Sequence, residues 1–160
     1  METSKTSTAS EQDFELWVLL HQTSDAMTRA REKELRKAGI SKIEAGVLFA
    51  LKHITTPATP AAISRWLFRE PHTTSELLSR MQKKDLVRKA KDLERKNQVR
   101  VVMTEKGEEA YRQSREIEVI PRMLSRLSPA ERNKLRTYLG KLRDKALDEL
   151  GVEYQLPFPR

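Results

Sequence analysis

The sequence predicts a mainly α protein of the α+β class, with long helices flanking a small central unit that carries one two-stranded hairpin. Three observations predict it. Apolar residues recur at helical spacing over most of the 160 residues. The stretch Val99–Met103 switches to strand alternation, with Val99, Val101 and Met103 set against Arg100 and Val102. Breaks at TTPATP, residues 55–60, and at Pro71 cut the middle of the chain into short pieces.

Each element has its own signal. Residues 1–12 are polar, without the apolar segment of a signal peptide, and read as a disordered N-terminal tail. Residues 13–55 hold two N-terminal helices for the core and for dimerisation. In the first, Leu16, Leu20, Met27 and Ala30 form a stripe that Phe14, Trp17 and Val18 widen, and Arg36-Lys37 precede the closing Gly39. The second opens on the capping-box pattern Ser41–Glu44 and continues through Ile43, Val47, Leu51 and Ile54. Residues 56–104 form the central unit. Thr59 is an N-cap with Pro60 at the first helical position, and a short helix, AAISRWL, follows. After Pro71, Thr73 and Glu76 are spaced as another capping box for a helix with Leu77, Leu78 and Met81 inside. Leu86–Lys91 pairs with Val99–Met103 across a loop, residues 92–98, where only Asn97 tolerates a positive φ cheaply.

Residues 105–150 are the C-terminal dimerisation helices. Thr104 caps a helix with the stripe Ala110, Ile117, Ile120, Leu124 and Leu127, kinked at Pro121. Ser128-Pro129-Ala130-Glu131 combines a capping box with proline at the first position, and Leu135, Leu139, Leu142, Ala146 and Leu150 run on to Gly151. Residues 151–160 are a C-terminal tail.

The charge is concentrated. Lys and Arg number 31 against 23 Asp and Glu, a net charge of +8, and +6 of it falls between Arg80 and Arg100. A basic balance favours nucleic acid over acidic lipid. No run of apolar residues approaches the roughly 20 of a membrane span, so no membrane association is expected and the protein is expected in the cytoplasm. The sequence has no cysteine, which removes disulfides, thiolate metal sites and thiol-based sensing. Three histidines without close ligand spacing give no metal site. Neither a cofactor nor catalysis is expected.

Two short helices joined by a tight turn and followed by a basic hairpin make a winged helix-turn-helix. Its second short helix fits a major groove about 12 Å wide, and the hairpin reaches the neighbouring backbone. The flanking helices carry more apolar surface than this unit covers; a second copy of the chain would cover it.

The stretch Thr59–Val87, TPAAISRWLFREPHTTSELLSRMQKKDLV, followed by Val99–Ala110, VRVVMTEKGEEA, resembles the winged-helix core of the MarR family of bacterial and archaeal transcriptional regulators. The pattern runs without gaps from Thr59 to Gly107, and the flanking helices extend it over most of residues 12–150. Leu86-Val87 opening the hairpin, Asp92 at the wing and Thr104-Glu105-Lys106-Gly107 closing it are the strongest marks. The resemblance implies a homodimer on a near-palindromic operator, often released by a small aromatic or anionic effector held between the dimerisation helices and the winged unit. Three positions depart from the family pattern. Phe68 stands where a turn glycine is usual, Arg95 and Lys96 replace an Asp-Arg pair at the wing, and Asp85 replaces the glycine that ends the recognition helix.

Candidate residues follow. His72, Thr73, Thr74 and Ser75 lie in the first turn expected to meet base edges, with helix capping the equal alternative for Thr73. Arg80 reaches base or phosphate, or forms a surface ion pair. Lys83 and Lys84 are expected on phosphates, and Arg95, Lys96 and Asn97 at the wing tip. Ser64 and Arg65 are backbone-contact candidates, while Arg88 and Arg100 contact backbone or decorate the outer hairpin face. For an effector, Trp17, His21, Phe49, His53, Trp66, Phe68 and Tyr111 are candidates, each also a core candidate. The expected function is a sequence-specific, ligand-responsive repressor. The alternatives are a sequence-tolerant nucleoid-type or RNA-binding winged helix, and a protein–protein adaptor.

Overall fold

The order of elements follows from where the chain can and cannot continue a helix. The computed structural model describes residues 3–55, 57–91, 98–116 and 118–152, with side chains from Thr8 onward. Helices α1 (Thr3–Leu35), α2 (Lys42–His53), α3 (Pro60–Leu67) and α4 (Pro71–Lys83) precede strands β1 (Val87–Lys91) and β2 (Val99–Met103). Helices α5 (Glu105–Arg115), α6 (Val119–Leu124) and α7 (Pro129–Glu149) follow. The expected hairpin loop with Asp92, Arg95, Lys96 and Asn97, the stripe residue Ile117, and the tail beyond Val152 lie outside the described residues.

The helix starts are set by side-chain caps. Ser41 Oγ accepts from Glu44 N–H while Glu44 Oε2 accepts from Ser41 N–H at 2.8 Å, a reciprocal capping box that Ser128 and Glu131 repeat at α7. Thr59 and Thr104 cap α3 and α5 by accepting from the N–H of Ala62 and Gly107. Each such cap stabilises its helix by about 1 kcal/mol.

Strands β1 and β2 pair antiparallel, with Val87 opposite Met103 and Lys91 opposite Val99. The Val101 N–H donates to Ala58 O at 2.8 Å, which ties the approach to α3 onto the hairpin. Beneath these elements lies one core. Leu35, Ile40, Val47, Leu48, Ile63, Leu77, Leu78, Met81, Leu86, Val87 and Val101 are all buried, so α1's end, α2, α3, α4 and the hairpin share it.

Three expectations are corrected. Residues 3–12 are helical and belong to α1, because no glycine or proline occurs before Gly39 and a polar run of Ser, Thr, Gln and Glu does not by itself stop a helix. Thr73 and Glu76 form no capping box: α4 begins at Pro71, three residues before the start that such a box would set, and the missing N–H of Pro71 costs nothing there. Around Pro121 the chain is broken, not kinked. Helix α5 ends at Arg115, and Pro121 sits in the first turn of α6, where its lack of an N–H is harmless.

Helix α7 has no buried residue, and neither has the stretch of α1 from Thr8 to Ala26. Among the described residues no helix is long and apolar enough to cross a membrane.

Candidate nucleic-acid interface

The turn between α3 and α4 is made by Phe68 itself, at φ 51° and ψ 47°. A left-handed conformation costs a residue with a Cβ roughly 1–2 kcal/mol, which glycine would avoid. The turn is held from both sides: Phe68 N–H donates to Arg65 O, Arg69 N–H donates to Ser64 O, and the Ser64 hydroxyl donates to Arg69 O. Ser64 is thus buried in the turn, not placed against a phosphate.

Helix α4 has two faces. Thr74, Leu77, Leu78 and Met81 are buried. His72, Ser75, Glu76, Ser79, Arg80 and Lys83 are exposed, and all but His72 line a shallow groove along the helix. This face is polar and two-signed: Arg80 can donate to guanine, Glu76 can accept from cytosine, and the serines can do either. His72 Nε2 lies 3.3 Å from Glu76 Oε1, one turn along the helix.

Of the residues expected at the interface, His72, Ser75, Arg80 and Lys83 fall on the outward face and Thr73 is half-buried. Thr74 is corrected. It is fully buried, because helical spacing sets it on the same face as Leu77, Leu78 and Met81, the face that packs into the core. Lys84, expected on a phosphate, is exposed and ion-paired: its Nζ lies 2.8 Å from Glu44 Oε1 and 3.1 Å from Oε2. Glu76 and Ser79, which the sequence reading missed, are the i+4 neighbours of His72 and Ser75, so helical periodicity alone would have found them. Behind α4, Arg88, Lys89, Lys91 and Arg100 are exposed on the hairpin. The wing-tip candidates Arg95, Lys96 and Asn97 lie outside the described residues.

A second site lies on the far side of α2. A cavity of about 500 Å³ is lined by Arg31, Ala45, Gly46, Phe49, Trp66, Ser114, Arg115, Ile120 and Pro121. Phe49 stacks on His53 at 4.0 Å and meets Trp66 at 5.5 Å and Tyr111 at 6.5 Å. Arg31 Nε is buried without a hydrogen-bond acceptor among the described residues. Desolvation, and then the charge of Arg115, push its pKa down. An anion between the two guanidiniums would relieve both effects. Four of the seven effector candidates, Phe49, His53, Trp66 and Tyr111, thus gather in or behind one cavity wall. Trp17 and His21 pair with each other at 4.6 Å on the exposed half of α1, away from this group, and Phe68 is occupied in making the turn. Arg31 and Arg115 escaped sequence reading because each sits in a highly charged stretch that looks like a solvated face.

The family model for a winged helix DNA-binding domain matches residues 40–107, the span from the start of α2 to the Gly107 contact. Crystal structures of the organohalide-sensing RdhR-CbdbA1625 transcriptional regulator, with 2,4-dichlorophenol bound and ligand-free, are 30% identical to this chain. The match covers 93% of this chain and 90% of that one, at a TM-score of 0.80. A MarR variant from E. coli complexed with operator DNA is 19% identical over 82% of this chain and 95% of that one, at a TM-score of 0.73. The MarR family transcription regulator SP03579 is 18% identical over 94% of this chain and 99% of that one, at a TM-score of 0.76. No curated protein matches the chain in sequence.

Proposed function

The chain belongs to the MarR family of winged helix-turn-helix transcriptional regulators, and from that premise we propose that it is a homodimeric, ligand-responsive repressor of a near-palindromic operator. The observation that carries the operator reading is the outward face of α4. Ser75, Glu76, Ser79 and Arg80 stand exposed on a helix whose other face is locked into the core, and a hairpin with four exposed basic residues follows it. A sequence-blind binder needs only the cations. Hydroxyls and a carboxylate among them are groups that read base edges.

Replacing Arg80 with alanine should weaken binding to the preferred duplex by about 1–3 kcal/mol and relax selectivity at one base position. Competition binding against a scrambled duplex measures this. Equal loss on both duplexes would mean that Arg80 touches only phosphate and would favour the nucleoid-type reading.

Dimerisation is supported by the apolar residues that α1 and α7 leave in water. Phe14, Trp17 and Leu19 are each more than half exposed, as are Tyr138 and Leu142. A monomer rarely tolerates such a surface; a partner helix pair would bury it.

The effector is a small aromatic acid or phenolate held in the cavity beside α2. Its size suits such a ligand, Phe49 and Trp66 stand in its wall, and Arg31 Nε lacks an acceptor among the described residues. The RdhR-CbdbA1625 regulator is seen with a chlorinated phenol bound. Titration calorimetry with benzoate and with 2,4-dichlorophenol checks this. Arg31→Met should weaken benzoate binding at least about tenfold, the cost of losing a charge-assisted hydrogen bond. Undiminished binding would place the ligand elsewhere.

A further inference from the structure

One face of the recognition helix is packed into the core along its length, and among the described residues the polar ties gather at its C-terminal end. At its start, Glu70 makes no side-chain cap and Pro71 offers no N–H. At its finish, Leu86 N–H donates to Met81 O at 2.9 Å, Asp85 takes a left-handed φ of 59°, and Lys106 Nζ donates to Lys84 O at 2.9 Å. The Thr104 hydroxyl donates to Asp85 O. Into this end reaches Glu44 from the first turn of α2, with only 6% of its side chain exposed, and both of its carboxylate oxygens meet Lys84 Nζ.

We infer that the Glu44–Lys84 ion pair is the positioning tie that fixes the recognition helix against α2, and that Lys84 serves DNA reading through this tie and not by touching phosphate. The inference rests on the operator-reading function proposed above. Glu44 is doubly committed. Its Oε2 also accepts the Ser41 N–H that caps α2, so the carboxylate cannot swing away without uncapping a helix. The Glu44 carboxylate is nearly buried while Lys84 is half exposed, so removing Lys84 would leave a desolvated charge without its counter-ion. Helix α2 goes on from Glu44 to Ala45, Gly46 and Phe49, three of the cavity's wall residues. The wall of the proposed effector site and the anchor of the recognition helix therefore lie one turn apart on one rigid element.

The test uses full-length Glu44→Gln, Lys84→Met and the double variant. Glutamine keeps an acceptor for the Ser41 cap and removes only the charge, so this variant folds if the cap matters more than the pair. Hydrogen exchange on the free protein should show faster opening at the amides of Lys84, Asp85 and Leu86 in both single variants. Each variant should also lose about tenfold in preference for the selected duplex over a scrambled one. The double variant should lose no more than either single one, as expected of two groups acting as a unit. The dependence of affinity on salt should stay unchanged. Three results would overturn the tie: unchanged exchange, additive losses, or a Lys84→Met effect that is uniform across duplexes and lowers the salt slope by about 0.9 while Glu44→Gln is silent. A native protein that binds every duplex alike would instead sink the operator reading, and hydrogen exchange would still decide the tie.

Discussion

Gly107 shows how a single residue can be fixed by its surroundings and not by its own backbone. A Cβ built there would stand 2.0 Å from the carbonyl oxygen of Leu86, so the first turn of α5 touches the entrance to the hairpin directly. Its N–H also serves the Thr104 cap at 3.0 Å. Gly107→Ala must push two backbone segments apart, and we expect it to cost about 2–3 kcal/mol and to lower Tm by roughly 5–10 °C. Thermal unfolding followed by circular dichroism measures it, and an unchanged Tm would contradict the packing described. The sequence marked Thr104-Glu105-Lys106-Gly107 as a motif but held no hint of this contact, which joins residues far apart in the chain. Asp85 was legible, because aspartate tolerates the left-handed conformation it adopts. Phe68 was not: a bulky aromatic at φ 51° is the residue type least expected there, and the bonds among Ser64, Arg65, Phe68 and Arg69 hold it.

At the scale of elements, local chemistry was the most readable part of the chain. The capping boxes at Ser41 and Ser128, the caps at Thr59 and Thr104, and the alternation of β2 all act over three or four residues, so the sequence contains the whole interaction. Where two local signals competed, the reading failed. Pro71 and Thr73 both mark a helix start, and proline prevails because it can occupy the first helical position; Thr74 is a core residue for a separate reason, its place one turn before Leu77 and Leu78 on the buried face. The α2–α4 tie carries a pH signature of its own. Burial alone would raise the Glu44 carboxyl, but the hydrogen bond from Lys84, the Ser41 groups and the Lys84 charge outweigh it, and its pKa lies below the ordinary 4.5. A carboxyl lowered on folding stabilises the native state fully above its ordinary value and loses that contribution as pH falls through the lower folded one. The stability difference between the native protein and Glu44→Gln should therefore narrow as pH drops below about 4.5. Urea unfolding at a series of pH values checks this, and a difference constant from pH 7 to about pH 3 would contradict it.

Across the whole molecule, charge and apolar surface divide the labour. The excess of positive charge sits between Arg80 and Arg100, on the exposed part of α4 and on the hairpin, while exposed apolar residues collect on α1 and α7. The first distribution was readable from the sequence, and so was the surplus of apolar stripe on the terminal helices. The cavity was not, since Arg31, Phe49, Trp66 and Arg115 come from four helices and meet only once the chain folds. If α7 is a dimer face, Leu139→Glu with Leu142→Glu should yield a monomer that keeps the helical spectrum of its winged unit, with DNA affinity reduced by at least about tenfold through loss of the second half-site. Sedimentation velocity decides it, and a persistent dimer would move the interface elsewhere. Whether two copies of α4 read a symmetric site is decided by selecting bound duplexes from a random library with the native protein. The selected pool should share an inverted repeat whose half-sites lie about 10 base pairs apart, centre to centre. A pool without a shared sequence, bound as tightly as the starting library, would contradict it.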